Sequence, residues 1–76
     1  MERLTVDSSR IETIGYDSAK RELEVVFKKT GWVFLHKEVP PNFWTELMLA
    51  PSIGRYYYDN IKDTFPFKKW LSPDNN

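Results

Sequence analysis

The sequence predicts an α+β domain in which an antiparallel β-meander of three or four strands packs against two C-terminal helices. Three observations lead there. Before residue 37, Leu4 and Val6 and then Leu23, Val25 and Phe27 recur at a spacing of two, mostly between polar neighbours, as half-buried strands require. Pro40-Pro41 then closes this region, because proline cannot donate to a sheet ladder. Beyond the prolines the apolar spacing changes to three and four residues, which is the spacing of a helix face.

Taken in order, Leu4 and Val6 alternate with polar neighbours until Asp7-Ser8-Ser9 interrupts. Residues 10–16 read as a strand with Ile11 and Ile14 apolar and Gly15 as a bulge or end. A turn cluster follows over residues 16–20. Residues 21–28 form the clearest strand, with Leu23, Val25 and Phe27 on one face and Glu22, Glu24 and Lys28 on the other. Lys29-Thr30-Gly31 is a tight turn in which Gly31 supplies positive φ, and residues 32–37 return. With the turn centred on Lys29 and Thr30, Phe27 faces Trp32, Val25 faces Phe34 and Leu23 faces His36. All six then share one sheet face, since side chains alternate.

Proline suits a first helical turn, so residues 42–50 read as a short helix carrying Phe43, Trp44, Leu47 and Met48 on one stripe. Pro51 ends it, and Ser52 caps a second helix running to about residue 65. Ile53, Tyr57 and Ile61 stack on one side of that helix, with Arg55, Tyr58 and Lys62 opposite. Pro66 stops it. Phe67-Lys68-Lys69-Trp70-Leu71 is a basic-aromatic tail that either latches over the core or lies against a partner, and residues 72–76 are expected to fray.

With 76 residues the chain is one domain, its core about residues 6–65 and its tail 66–76. A chain this short hides only about 60% of its unfolded surface. There is no Cys, so disulfides are excluded, and a single His36 makes a structural zinc untenable. Dense packing of the twelve aromatic residues, or assembly into a homo-oligomer, is the remaining support. The absence of Cys, of a signal-like apolar start and of any membrane-length run fits a cytoplasmic protein with no membrane contact. Eleven basic and eleven acidic residues cancel. A nucleic-acid ligand would therefore need a local basic patch rather than a global field.

The catalytic inventory is poor. There is no Cys nucleophile, no Gly-rich phosphate loop, and His36 has no adjacent acid. Neither an enzyme activity nor a cofactor or metal is expected. A binding site is better supplied. Ser52, Gly54 and Arg55 sit where the second helix begins. Unpaired backbone N–H groups and the macrodipole favour an anion there, and Arg55 adds a fork for phosphate. The simpler reading makes Ser52 a cap, Gly54 a close-packing position and Arg55 a surface charge. Basic residues interleaved with aromatics suit base stacking with phosphate neutralisation. Arg55 and Lys62 would hold phosphate, and Tyr58, Tyr16 or His36 would stack on a base. Lys28, Lys29 and the Lys68-Lys69 pair are further candidates. Trp32, Phe34 and Tyr57 are expected in the core, Tyr58 on the surface.

Several stretches together resemble the KTSC domain family: Val6-Asp7-Ser8-Ser9, Ile14-Gly15-Tyr16-Asp17, Leu23-Glu24-Val25-Val26-Phe27, Gly31, Val39-Pro40, and Ala50-Pro51-Ser52-Ile53-Gly54-Arg55-Tyr56. The family is named for a C-terminal extension of some lysyl-tRNA synthetases and also occurs as small free-standing proteins of bacteria and their viruses. The resemblance spans residues 6–65 and adds Ser8 and Ser9 to the candidate site. The family's central Tyr-x-Tyr falls on Phe34-Leu35-His36, so both hydroxyls are absent. RNA binding is what the synthetase context implies. The expected function is thus a non-enzymatic module for RNA or a phosphorylated nucleotide. The alternative is a protein-interaction or self-assembling module that inhibits a partner or sequesters a small nucleotide signal.

Overall fold

A computed structural model describes residues 3–71. The elements run β1 (Arg3–Thr5), β2 (Ile11–Asp17), β3 (Glu22–Phe27), β4 (Trp32–His36), α1 (Pro41–Leu49), α2 (Ile53–Asn60) and β5 (Phe67–Leu71). The strands form one antiparallel sheet in the order β1-β2-β3-β4-β5. The α+β class and the two helices after the meander are as the sequence predicts, but the sheet has five strands. The additional strand is the basic-aromatic tail. Lys37 N–H bonds to the Pro66 carbonyl at 2.8 Å, which brings the chain back alongside β4. Residues 67–71 then satisfy the open edge of β4, with Phe67 opposite His36 and Leu71 opposite Trp32. The expected fraying of residues 72–76 lies outside the described residues.

The β3–β4 register matches expectation: Leu23 opposes His36 and Val25 opposes Phe34. Gly31 takes φ 74°, and its N–H bonds to the Phe27 carbonyl at 3.0 Å to close the turn. In β2 the irregularity lies between Ile11 and Thr13, while Gly15 pairs regularly with Glu24. The reason is spacing. Ile11 and Ile14 are three apart, and only an extra residue between them lets both point into the core. Both are fully buried.

Both helices cover the sheet face that carries Ile11, Ile14, Leu23 and Val25, and Val39, Leu47, Tyr57 and Ile61 complete the core. Burying each such aliphatic side chain contributes about 1.5–3 kcal/mol. On the opposite face Glu24 is buried beneath Arg3, whose guanidinium donates to both carboxylate oxygens at 2.5 and 3.2 Å. The second helix stops at Asn60, short of the expected residue 65. Ile61 and Lys62 N–H groups both turn onto the Tyr57 carbonyl, and Thr64 and Phe65 onto that of Ile61. This tightened turn keeps Ile61 buried and redirects the chain towards β4. Among the described residues no helix is long and apolar enough to cross a membrane.

Candidate functional site

The loop between β1 and β2 is shaped by Ser8. Its Oγ accepts hydrogen bonds from Arg10 and Ile11 N–H at 3.3 and 3.2 Å, a serine turn. The loop rests on the start of α2 at Gly54, which is buried. A Cβ at that position would lie 3.4 Å from Ser8 Oγ. Ser52 caps α2, its Oγ accepting from Arg55 N–H at 3.3 Å.

A groove opens along this junction. Its first compartment, about 440 Å³, is polar, with Asp7, Ser8, Ser9, Arg10, Ser52 and Arg55 on its walls. The second, about 480 Å³, is aromatic, with Phe27, Trp32 and Phe34 beside Lys29 and Lys62. Ser9, Arg10 and Tyr58 line both, so the two compartments adjoin across a shared wall. Each falls within the range of small-molecule sites.

Cations sit on the rings. Arg10 Cζ lies 5.4 Å and Lys62 Nζ 5.8 Å from the centre of the Tyr58 ring. Lys69, contributed by β5, has its Nζ 5.3 Å from Trp32 and 6.0 Å from Phe34. These are cation–π distances. Arg55 pairs with Asp59 at 3.5 Å and Lys62 with Asp63 at 3.9 Å. Among the described residues Arg10, Lys29 and Lys69 have no acidic partner within 4.0 Å.

Ser8, Ser9, Ser52, Gly54, Arg55 and Tyr58 therefore meet at the first compartment, and Lys62 lines the second. Tyr58 is half-buried rather than a free surface ring, since it packs on Phe27 and Tyr57 as well as the two cations. Trp32 and Phe34 are half-buried groove residues, whereas Tyr57 is core as expected. Two expected site residues lie elsewhere. Tyr16 is at the other end of β2, where its ring stacks on Trp44 (5.6 Å, 12°) and its hydroxyl donates to the Val39 carbonyl at 2.5 Å. Burial pushes its phenol above the usual value. His36 is completely buried and cannot stack on a ligand. Tyr57 Oη lies 2.7 Å from its Nε2 and the Phe65 carbonyl 3.3 Å from its Nδ1. Desolvation lowers its pKa, against the carbonyl contact, which raises it.

Sequence reasoning did not single out Arg10 and Asp7, which line the polar compartment. The available signal was adjacency, since both flank the Ser8-Ser9 pair.

A family model described as the KTSC domain matches residues 7–65. A protein of Tsukamurella paurometabola is 40% identical over 60 residues, covering 79% of this chain and 88% of the relative. A Stutzerimonas stutzeri protein is 35% identical over 62 residues, covering 82% and 86%. The crystal structure of a KTSC domain protein from Yersinia pestis superposes with a TM-score of 0.85 at 38% identity, over 91% of this chain and 96% of that one.

Proposed function

This chain belongs to the KTSC domain family, and from that premise and its groove we propose that it is a cytoplasmic, non-enzymatic module that binds RNA or a phosphorylated nucleotide. The supporting observation is that Arg10 and Lys69 sit over the half-buried rings of Tyr58, Trp32 and Phe34 while Lys29 lines the same aromatic compartment, all three cations lacking acidic partners among the described residues. A ligand carrying both a π-face and a phosphate satisfies both features. Stacking on aromatic residues contributes about 1–3 kcal/mol per base, and cations along the strand neutralise its backbone. Arg55, which is 82% exposed at the rim, extends the cationic wall towards the polar compartment.

Binding to labelled single-stranded RNA and to mononucleotides across a salt series tests this. Each phosphate contact on a single strand gives a log–log slope of about −0.7. Three or four contacts predict a slope of about −2 to −3 for RNA and a shallower one for a mononucleotide. Trp32→Ala should weaken both ligands. Absence of binding to either at low salt would refute the proposal.

A second reading rests on β5, whose outer edge pairs with no other strand among the described residues and which exposes Phe67, Trp70 and Leu71. Such an edge suits self-association or a protein partner. Light scattering after size exclusion decides it: a dimer at tens of micromolar supports assembly, and a monomer refutes an obligate oligomer.

A further inference from the structure

The groove is cationic except at one point. Asp7 lines the polar compartment. Among the described residues its carboxylate has no cation within 4.0 Å and no hydrogen-bond donor. A carboxylate is a pure acceptor at neutral pH, and so is a phosphate. Phosphate placed against Asp7 would therefore meet a like charge with no shared proton. A ligand group that meets Asp7 must instead be a donor, and on a phosphorylated nucleotide whose base lies in the aromatic compartment the donors nearest the phosphate are the sugar hydroxyls. Among the described residues no hydroxyl on the wall donates to Asp7; the Ser8 and Ser52 oxygens are held in their turn and cap as acceptors of backbone N–H groups. Arg10, at the junction of the two compartments, is the cation best placed for a phosphate.

Resting on the nucleotide reading above, we infer that Asp7 reads the sugar: it accepts hydrogen bonds from ribose hydroxyls and makes the groove select ribonucleotides over deoxyribonucleotides. The arrangement of the compartments fits. A base against Trp32 and Phe34 places its own sugar towards the shared wall of Ser9, Arg10 and Tyr58, beyond which Asp7 lies. The 2′-hydroxyl is the group by which a protein distinguishes RNA from DNA. A hydrogen bond to a charged acceptor corresponds to about tenfold or more in affinity.

Binding of 5′-labelled pentauridylate and pentadeoxyuridylate at one low salt concentration tests this, because the two probes share base, length and charge. The unaltered chain should bind the ribo-probe about tenfold tighter. Asp7→Ala should bring the ratio close to one by weakening the ribo-probe. The melting temperature should not move, since Asp7 is exposed with no partner to lose among the described residues. Pentauridylate bearing 2′-O-methyl groups should bind the unaltered chain as weakly as the deoxy-probe. Equal affinity of the ribo- and deoxy-probes overturns the inference and leaves the nucleotide reading intact. So does a ribo-preference that survives Asp7→Ala, or tighter binding of both probes by that variant. Absence of binding to either probe overturns both readings.

Discussion

Replacing Tyr57 with Phe should destabilise this domain out of proportion to the single oxygen removed. His36 and Tyr57 are both completely buried. The Phe65 carbonyl near Nδ1 can only accept, so the imidazole proton sits on Nδ1 and donates to it across 3.3 Å. Nε2 is then an acceptor, and Tyr57 Oη donates to it at 2.7 Å. Tyr57→Phe keeps the ring and its packing but leaves Nε2 buried without a partner. The cost of such an unsatisfied group is about 1–3 kcal/mol. A 76-residue domain has a total stability of about 4–11 kcal/mol, so a substantial fraction is at stake. At about 2 kcal/mol the melting temperature falls by roughly 8–16 °C. Urea unfolding followed by tryptophan fluorescence measures this, and an unchanged m-value ties the effect to stability. Replacing both partners removes the orphan, so His36→Leu with Tyr57→Phe should cost less than the sum of the single changes, by at least about 0.5 kcal/mol. A loss below about 0.5 kcal/mol for Tyr57→Phe, or strict additivity in the double variant, would refute the assigned bond.

His36 also sets a pH dependence. Burial holds its folded pKa below the unfolded value near 6.5, so the unfolded chain binds more protons between the two. Stability should be full above about pH 7 and fall as pH drops below 6.5, by at most about 1.4 kcal/mol per unit, until the folded pKa is passed. His36→Leu should remove that dependence in urea titrations between pH 5 and 8. Gly54→Ala should change stability by less than about 1 kcal/mol, because the gain in helix propensity offsets the contact with Ser8 Oγ at 3.4 Å. Gly54→Leu, by contrast, should displace the Ser8 loop and weaken RNA binding, as fluorescence anisotropy would show. Arg55→Ala should shift the unfolding free energy by no more than about 0.5 kcal/mol, since its pair with Asp59 is exposed on both sides. RNA affinity should nonetheless drop, and a collapse in melting temperature with unchanged binding would mark Arg55 as structural.

The candidate site was legible only in part. Ser52, Gly54 and Arg55 could be placed because helix starts have a local grammar of prolines, caps and small residues. The Ser8–Gly54 contact, 46 positions apart, has no such grammar, and neither does the meeting of Arg10 with Tyr58. Tyr16 and His36 were drawn to the site by their chemistry, because rings with polar tips suit a ligand as well as a buried partner. Their partners, Trp44 with the Val39 carbonyl and Tyr57 with the Phe65 carbonyl, become visible only once the helices are laid on the sheet.

The division follows the range of the interactions. The period-two spacing of Leu23, Val25 and Phe27, together with a short turn containing Gly31, was enough to set the central hairpin and its register, because a slip of one residue would turn Leu23, Val25 and His36 away from the core. Pro40-Pro41 and Pro51-Ser52 likewise set where both helices begin and where the first one ends, by backbone sterics and the Ser52 cap. The fifth strand was different. Phe67-Lys68-Lys69-Trp70-Leu71 has no pattern that distinguishes a strand from a tail, and it becomes a strand because β4 presents an edge of unpaired N–H and C=O groups beside it. That pairing also carries Lys69 over Trp32. The cationic, aromatic character of the groove therefore depends on contacts between residues far apart in the chain, which no local periodicity encodes.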